Sequence, residues 1–267
     1  MRWQQIKRAI LSGWWATLRR NGFVYNASCG AGVRLPSIAV RAVECYGQCG
    51  EDLIVASMLE AIALKTGTEL KDVKYLEIGG NHPFATSTTY LLHKQLGMRG
   101  VIVEANPNLI PDLEKGRPAD TIIHAAIHEK ESTVAVLSLS AHDEVSSLDR
   151  KTADRWHELL GGGAEELEVP AMRINELMRL HVNDTAPAFM SIDVEGLDLA
   201  LLKEFDFARY RPWLIQIEYM DNVFPPGNGK EMVAHMQHAN YSLVAKTYIN
   251  LIFAEASLLT SLGGRGS

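Results

Sequence analysis

The sequence has few cysteines, no long apolar run and no stripe of basic and aromatic residues, and each absence argues against a class of protein. Its three cysteines, Cys29, Cys45 and Cys49, are too few for a disulfide framework. The Cys45/Cys49 pair also lacks the second pair that a zinc site needs. No apolar run is long enough to span a bilayer, and the net charge of -6 argues against nucleic acid as a partner. These features predict a cytoplasmic protein with reduced thiols.

The first 20 residues differ from the rest of the chain because they carry basic residues and no acid. The basic residues are Arg2, Lys7, Arg8, Arg19 and Arg20. Apolar residues recur about once per helical turn and predict a basic amphipathic helix: Trp3, Ile6, Ile10, Trp14 and Leu18. Such a helix either lies peripherally on the inner surface of an anionic membrane or packs against the main domain or a partner subunit. A signal peptide fits badly, because Ser12 and Gly13 interrupt the apolar stretch.

From Tyr46 onward, short apolar runs alternate with helical patterns, which is typical of an α/β fold with a mainly parallel sheet. A first helix begins at Glu51-Asp52 and ends at Gly67. The predicted strands are 74–78, 100–104, 121–126, 133–138, 187–193, 213–218, 241–246 and 248–254. The later predicted helices are 88–96, 107–115 with Asn106 as its cap, 148–160, 173–181, 197–205 and 230–239. The last two strands leave no room for a helix, so the seven-stranded sheet should end in an antiparallel hairpin.

The length of 267 residues suits one catalytic domain with short extensions. We predict an amphipathic helix and linker over 1–45, the catalytic domain over 46–257 and a flexible tail over 258–267. The glycine-rich stretch "LGGGAEE" at 160–166 is predicted to be flexible as well.

Polar residues follow several predicted strands, and in a parallel sheet these positions meet at one edge where ligands bind. A dinucleotide loop needs the pattern G-x-G-x-x-G, but Gly79-Gly80 is followed by "NHPF" without the later glycines. Pro83 also lacks an N–H that a phosphate would use. The loop therefore favours a smaller ligand over a pyrophosphate. Glu104, at the end of the next strand, is well placed to accept hydrogen bonds from both hydroxyls of a ribose.

Several stretches together resemble the FkbM-type methyltransferases, Rossmann-like enzymes that use S-adenosylmethionine. They are "YGQCGEDLI", the segment from "LEIGGNHPF" to "IIHAAI", "SSL" at 146–148, the segment from "FMSIDVEG" to "LIQIEY", and "YSLVAKTYINLIFAE". The resemblance implies a class I (Rossmann-like) methyltransferase fold. The sequence departs from the family at Gly80, where Ala is usual, and after Glu104, where Ala-Asn-Pro replaces Pro-Asn-Pro.

The resemblance also implies which residues hold the cofactor. The methionine part is expected against Glu77, Gly79, Gly80 and Asn81, with Gln48 and Asp52 near its amino acid end. Asp193 is also expected to contact the cofactor. Glu104 is expected to hold the ribose, and Ala125 and Ala126 the adenine.

The cluster "SIDVEG" places Asp193 and Glu195 beside the expected methyl group. Two carboxylates there suit proton removal from an alcohol, or ligation of a divalent cation that acidifies it. The structural alternative is that Glu195 caps the next helix and Asp193 bonds to backbone. Asp193, Glu218 and Asp221 form a candidate Mg²⁺ site. His82 is a second candidate base, with packing within the loop as its alternative.

The resemblance implies an alcohol acceptor, most often a sugar hydroxyl in a glycan, glycolipid or secondary metabolite. Loops 140–164 and 220–229 should form the part of the site that binds the acceptor. Trp156 and Tyr219 are candidates for stacking on a sugar ring there. Two other functions stay open: an NAD-dependent sugar enzyme, and a non-catalytic binding module docked on a membrane. The missing glycines and the terminal hairpin argue against the first.

Overall fold

A computed structural model describes residues 44–140, 145–161, 165–219, 221–225 and 227–262. The predicted N-terminal amphipathic helix lies outside these residues. In the part that is described, none of the helices combines the length and the apolar character of a bilayer span.

Eight α-helices and ten strands alternate along the described chain. The helices are α1 (Glu51–Thr66), α2 (Thr88–Gln95), α3 (Ile110–Gly116), α4 (Arg150–Leu160), α5 (Ile174–His181), α6 (Asp198–Glu204), α7 (Gly229–His238) and α8 (Ala256–Leu262). The strands are β1 (Lys74–Ile78), β2 (Arg99–Glu104), β3 (Thr121–His124), β4 (Ala126–Ile127), β5 (Val134–Leu139), β6 (Glu165–Met172), β7 (Phe189–Ile192), β8 (Leu214–Glu218), β9 (Tyr241–Lys246) and β10 (Asn250–Glu255).

The main sheet has seven strands in the order β3-β2-β1-β7-β8-β10-β9. Strands β3, β2, β1, β7 and β8 pair in parallel, whereas β10 is antiparallel to both of its neighbours. The predicted mainly parallel sheet and its C-terminal antiparallel hairpin are therefore confirmed. The chain moves outward from β1 through β2 to β3, and then crosses to β7 on the other side of β1. The carboxyl ends of β1 and β7 consequently form a topological switch point, where a cleft opens.

Two apolar layers cover the sheet. On one face, α5, α6 and α7 supply Leu177, Met178, Leu201, Leu202, Met232 and Met236. On the other face, α1 and α2 supply Val55, Leu59, Ile62, Leu91 and Leu92. Helix α1 carries Glu51 and Asp52 in its first turn and ends at Gly67, whose φ of 70° suits glycine, as the sequence predicted.

A second, smaller sheet was not predicted. It has the order β4-β6-β5, with β4 parallel and β5 antiparallel to β6. The strand predicted at 133–138 belongs here, and the one predicted at 121–126 breaks at Ala125, whose N–H bonds to Glu104 O. The segment predicted to be flexible at 160–166 runs into β6 at Glu165. Glutamates and Pro170 hid this strand, because both residue types are depleted in strands.

Two other boundaries differ from the sequence prediction. Helix α3 begins at Ile110, because the Asn106 side chain accepts from Asn108 N at 3.0 Å and forms a turn instead of a helix cap. Helix α8 continues to Leu262 inside the predicted flexible tail, and its Leu258 and Leu259 pack on the core.

Candidate active site

The cleft at the switch point is lined by the ends of β1, β2 and β7 and by the start of β4. Its lining includes Gln48, Gly79, Gly80, Asn81, Thr86, Val103, Glu104, Ala125, Ala126, Ile127, Leu137, Ser146, Leu148, Asp193 and Glu195. Most of the residues predicted to bind the cofactor are thus brought to one cleft, at one end of which Asp193 and Glu195 lie.

Two glycines let the loop after β1 lie against its neighbours. Gly79 has φ 90°, and a Cβ at this position would lie 1.8 Å from the Asp193 carbonyl oxygen. A Cβ at Gly80 would lie 2.3 Å from Cγ2 of Ile102. Real Cβ atoms do not approach other atoms this closely. Glycine at position 80 therefore fits the close approach of Ile102.

The first N–H groups of this loop are used within the fold. Gly79 N and Gly80 N both donate to Val103 O, at 2.9 and 3.0 Å. Asn81 N donates to Oε2 of Glu104 at 2.8 Å. A dinucleotide loop instead points successive N–H groups at a pyrophosphate. The loop at residues 79–81 therefore lacks the donors that an NAD pyrophosphate requires, which agrees with the missing glycines.

Glu104 lines the cleft and is held by two backbone N–H groups. Its Oε2 accepts from Asn81 N and its Oε1 accepts from Asn106 N at 2.7 Å. Burial raises the pKa of this carboxyl above its usual value, while the backbone donors oppose the shift. Each oxygen keeps a second lone pair for a ligand hydroxyl.

Three carboxyl groups cluster where Asp193 and Glu195 line the cleft. Single oxygens of Asp193, Glu195 and Glu218 lie within 4.8 Å of one another. Carboxyl groups this close disfavour ionisation of one another. Burial, helped by the nearby Asp198 carboxylate, raises the pKa of Asp193 to about 7. Burial and the charge of Asp193 raise the pKa of Glu218 well above its usual range.

Glu195 is fixed in the cluster by two contacts from other elements. Trp156 Nε1 donates to Glu195 Oε2 at 2.8 Å, and Ser147 Oγ donates to Glu195 O at 2.6 Å. The residue has φ 53°, a conformation that is costly for residues other than glycine and persists only where surrounding contacts impose it. Helix capping, the structural alternative for Glu195, is not observed, because the N-cap residue of α6 is Leu197 and no side chain caps this helix. The Asp198 carboxylate instead holds the turn before the helix by accepting from Val194 N and Gly196 N.

Two of the predicted catalytic or metal-binding residues lie elsewhere. Asp221 does not join the acid cluster: its Oδ1 accepts from Gly229 N at 2.9 Å and holds the start of α7. Glu195 takes its place beside Asp193 and Glu218. His82 is exposed outside the cleft lining, and its Nδ1 accepts from Phe84 N and Ala85 N at 3.1 and 2.9 Å. With that nitrogen already an acceptor, His82 supports its own loop.

Two predicted cofactor ligands also differ from expectation. Glu77 is buried beneath the loop, where Thr89 Oγ1 and Ser87 Oγ donate to it at 2.5 and 3.1 Å. Asp52 is fully buried and accepts from Tyr46 N at 2.6 Å. Neither lines the cleft, whereas Gln48 does. Their carboxylates shape the segments around the cleft and do not face it.

The predicted sugar-stacking residues are not open surfaces. Tyr219 is 1% exposed and donates to Thr247 O at 2.9 Å. Trp156 is 7% exposed, with its edge against Phe224 at 4.8 Å between ring centroids. Sequence reasoning missed Phe224, the half-buried aromatic residue of this pair, because a single Phe in a loop gives no periodic signal.

A sequence model described as "Methyltransferase FkbM domain" matches residues 77–243, more than half of the chain. The chain belongs to the FkbM methyltransferase family. Membership confirms the family predicted from the sequence and identifies an S-adenosylmethionine-dependent methyltransferase. The parallel sheet with its antiparallel C-terminal hairpin agrees with the class I fold. No curated protein matches this FkbM chain in sequence.

Several solved structures resemble the FkbM chain distantly. A putative O-methyltransferase from Klebsiella pneumoniae is 13% identical, with 75% of this chain and 80% of that chain covered and a TM-score of 0.35. Aeropyrum pernix fibrillarin with bound S-adenosyl-L-methionine is 14% identical, with 74% of each chain covered and a TM-score of 0.38. The Bacillus cereus O-methyltransferase in complex with SAH is 12% identical, with 76% and 88% covered and a TM-score of 0.36. At such low scores, nothing about the acceptor of this chain follows from them.

Proposed function

We propose that this enzyme transfers the methyl group of S-adenosylmethionine to a hydroxyl group, with a sugar in a glycan, glycolipid or secondary metabolite as the acceptor. The observation that carries the proposal is the acid cluster of Asp193, Glu195 and Glu218, of which Asp193 and Glu195 line the same cleft as Gly79. Methyl transfer to an alcohol needs a proton acceptor at the methyl group, and Asp193 lines the cleft together with Gly79 and Gly80.

The transfer itself needs alignment more than strong electrophilic help. The acceptor oxygen attacks the methyl carbon in line with the breaking C–S bond, and the sulfur keeps the electron pair. The hydroxyl proton passes to the Asp193 carboxylate. Burial raises the pKa of Asp193 to about 7, so its carboxylate is a stronger base than that of an ordinary Asp.

The proposed cofactor position follows the lining of the cleft. Glu104 accepts the ribose hydroxyls on the lone pairs that Asn81 N and Asn106 N leave open. The adenine lies against the apolar wall that contains Ala125 and Ala126, and the methionine part lies along Gly79 and Gly80 toward Gln48. A cationic sulfonium then lies near the acidic end of the cleft, which favours it electrostatically.

A divalent cation such as Mg²⁺ is a second candidate for the acid cluster. Asp193, Glu195 and Glu218 offer three oxygens of the kind that Mg²⁺ prefers, and Oε2 of Glu218 is buried without a hydrogen-bond partner among the described residues. A cation there would acidify the acceptor hydroxyl. Full activity in an excess of chelator removes this role and leaves the proton-transfer role of Asp193 untouched.

We expect a cytoplasmic enzyme whose basic N-terminal segment contacts a membrane surface or a second subunit. An acceptor that is a lipid-linked glycan would give membrane contact a use. A vesicle flotation assay tests the membrane contact. It compares the full chain with a chain that begins at Glu44, each on anionic and on neutral vesicles. Equal flotation of the two chains would contradict membrane contact.

The catalytic role of Asp193 is tested with Asp193→Asn. Turnover of a glycan acceptor with labelled methyl donor should fall at least about 100-fold, the size expected for loss of a general base, while cofactor affinity stays within about threefold. Asp221→Asn is the matched control and should keep turnover, because Asp221 lies outside the cluster. Equal turnover of Asp193→Asn and wild type would exclude Asp193 as the proton acceptor.

A further inference from the structure

Arg117 follows α3 and is a fully buried arginine, 0% exposed, whose five N–H groups all have acceptors. Its Nε donates to Asp120 Oδ2 at 2.8 Å. Its Nη1 donates to Pro83 O and Ser87 Oγ at 3.1 and 3.3 Å. Its Nη2 donates to Tyr75 OH and Thr89 Oγ1 at 2.6 and 3.0 Å.

These acceptors join the loop after β1 to the elements on either side of it. Pro83 and Ser87 belong to the loop of residues 79–87, Tyr75 to β1 and Thr89 to α2. The guanidinium also lies 5.7 and 5.6 Å from the ring centroids of Tyr75 and Tyr90. One side chain therefore ties the end of the loop to the strand before it and the helix after it.

Glu77 extends this network beyond the direct ion pair of Arg117 with Asp120. Ser87 and Thr89, which accept from Arg117, donate their hydroxyls to Glu77. The buried carboxylate and the buried guanidinium are thus bridged by two hydroxyl groups. This explains why Glu77 does not face the cleft: its partners are the residues that hold the loop.

The held loop is strained where it meets the cleft. Asn81 and Thr86 have φ values of 44° and 61°, and both line the cleft. Residues other than glycine keep such conformations only where surrounding contacts impose them. The residue before the arginine, Gly116, packs so closely that a Cβ there would lie 2.6 Å from Cβ of Pro83. The chain at 116–117 therefore contacts the loop through the backbone of Gly116 and the side chain of Arg117.

We propose that Arg117 is a positioning residue for the cofactor: its network with Glu77, Ser87 and Thr89 holds the loop of residues 79–87 in the conformation that binds S-adenosylmethionine. This inference rests on the proposed cofactor position in the cleft. A lysine at position 117 offers three donors on a single nitrogen and cannot reach the divergent acceptors together.

The test compares Arg117→Lys with Arg211→Lys. Arg211 is a matched control because it also bonds to backbone carbonyls and a carboxylate and lies over an aromatic ring, but it does so at Ala239, Glu255 and Tyr241, away from the cleft. Both variants should lower Tm. Only Arg117→Lys should raise the Kd of S-adenosylhomocysteine, by about tenfold or more, and it should raise KM for S-adenosylmethionine more than it lowers kcat at saturation.

Ser87→Ala is a milder variant that keeps the test informative where Arg117→Lys does not fold. Losing one bridging hydroxyl should raise the same Kd by roughly threefold to tenfold. A wild-type Kd in both folded variants, or an equal rise in Arg211→Lys, would overturn the positioning role.

Hydrogen exchange separates this inference from the proposed function. Without any ligand, amides of residues 81–87 should exchange faster in Arg117→Lys than in wild type or Arg211→Lys, because the loop loses its anchor. Unchanged exchange at 81–87 would overturn the inference even where wild type binds the cofactor. A different result would overturn the cofactor assignment alone: wild type fails to bind S-adenosylhomocysteine, but residues 81–87 still exchange faster in Arg117→Lys than in wild type.

Discussion

Replacing Gly79 with alanine tests the contact between the cofactor loop and the catalytic strand. A Cβ at this position would lie 1.8 Å from Asp193 O, and Cβ atoms essentially never approach within 3.0 Å of another atom. The loop and the end of β7 must therefore separate by about 1.2 Å. The positive φ of 90° adds a cost of about 1–2 kcal/mol for alanine in any setting.

The control Gly67→Ala separates these two effects. Gly67 has φ 70°, and no atom lies within 4 Å of the point where the alanine methyl group would stand, so this variant should lose about 1 kcal/mol of stability and keep the wild-type Kd. Gly79→Ala should lose more stability than this. A displacement of about 1 Å at the cleft should also raise the Kd of S-adenosylhomocysteine at least tenfold, about 1.4 kcal/mol.

Thermal denaturation measures the stability of both variants, and isothermal titration measures their Kd for S-adenosylhomocysteine. A Gly79→Ala protein that is folded, no less stable than Gly67→Ala and unchanged in Kd would refute the close approach of loop and strand. It would also remove the geometric reason for placing Asp193 beside the methyl group.

Four further predictions concern the two ends of the cleft. With cofactor and acceptor saturating, turnover should rise with pH through about 7, because the proposed proton acceptor is the Asp193 carboxylate and its pKa is raised to about 7; a rate that is flat from pH 6 to 8 would contradict this. The raised pKa means that folded protein binds the proton more tightly than unfolded protein. Stability measured by urea denaturation should therefore fall as pH rises from about 4 to 7, and Asp193→Asn should flatten this slope. Glu104→Gln should weaken cofactor binding by about tenfold or more in titration, because its amide nitrogen cannot accept from Asn81 N or Asn106 N; wild-type affinity would exclude Glu104 from the ribose site. Trp156→Phe should lower kcat but leave the cofactor Kd unchanged, because Glu195 loses the donor that orients it; equal kcat would make Trp156 a packing residue only.

The sequence predicted the features of the fold that depend on local pattern. Alternating apolar runs identified all seven strands of the main sheet, and the short connection near Tyr248 predicted the hairpin. Strand β6 was missed because its glutamates face outward beside Pro170, and the second sheet depends on contacts between segments far apart in sequence. Helix α3 begins later than predicted because the side chain of Asn106 stabilises a turn equally well.

The candidate site was predictable to the extent that strand ends meet at one edge of the sheet. That rule brought Gly79, Glu104 and Asp193 to one cleft. It could not say which carboxylates face the cleft, because this depends on partners elsewhere in the chain. Glu77 turns toward the hydroxyls above Arg117, and Asp221 turns toward the start of α7.

Isothermal titration of the full chain with S-adenosylmethionine, S-adenosylhomocysteine and NAD tests the central claim most directly. We predict one site per chain for each methionine-derived ligand and no binding of NAD, because the N–H groups at residues 79–81 already bond to Val103 and Glu104. Binding of NAD without binding of either methionine-derived ligand would contradict it.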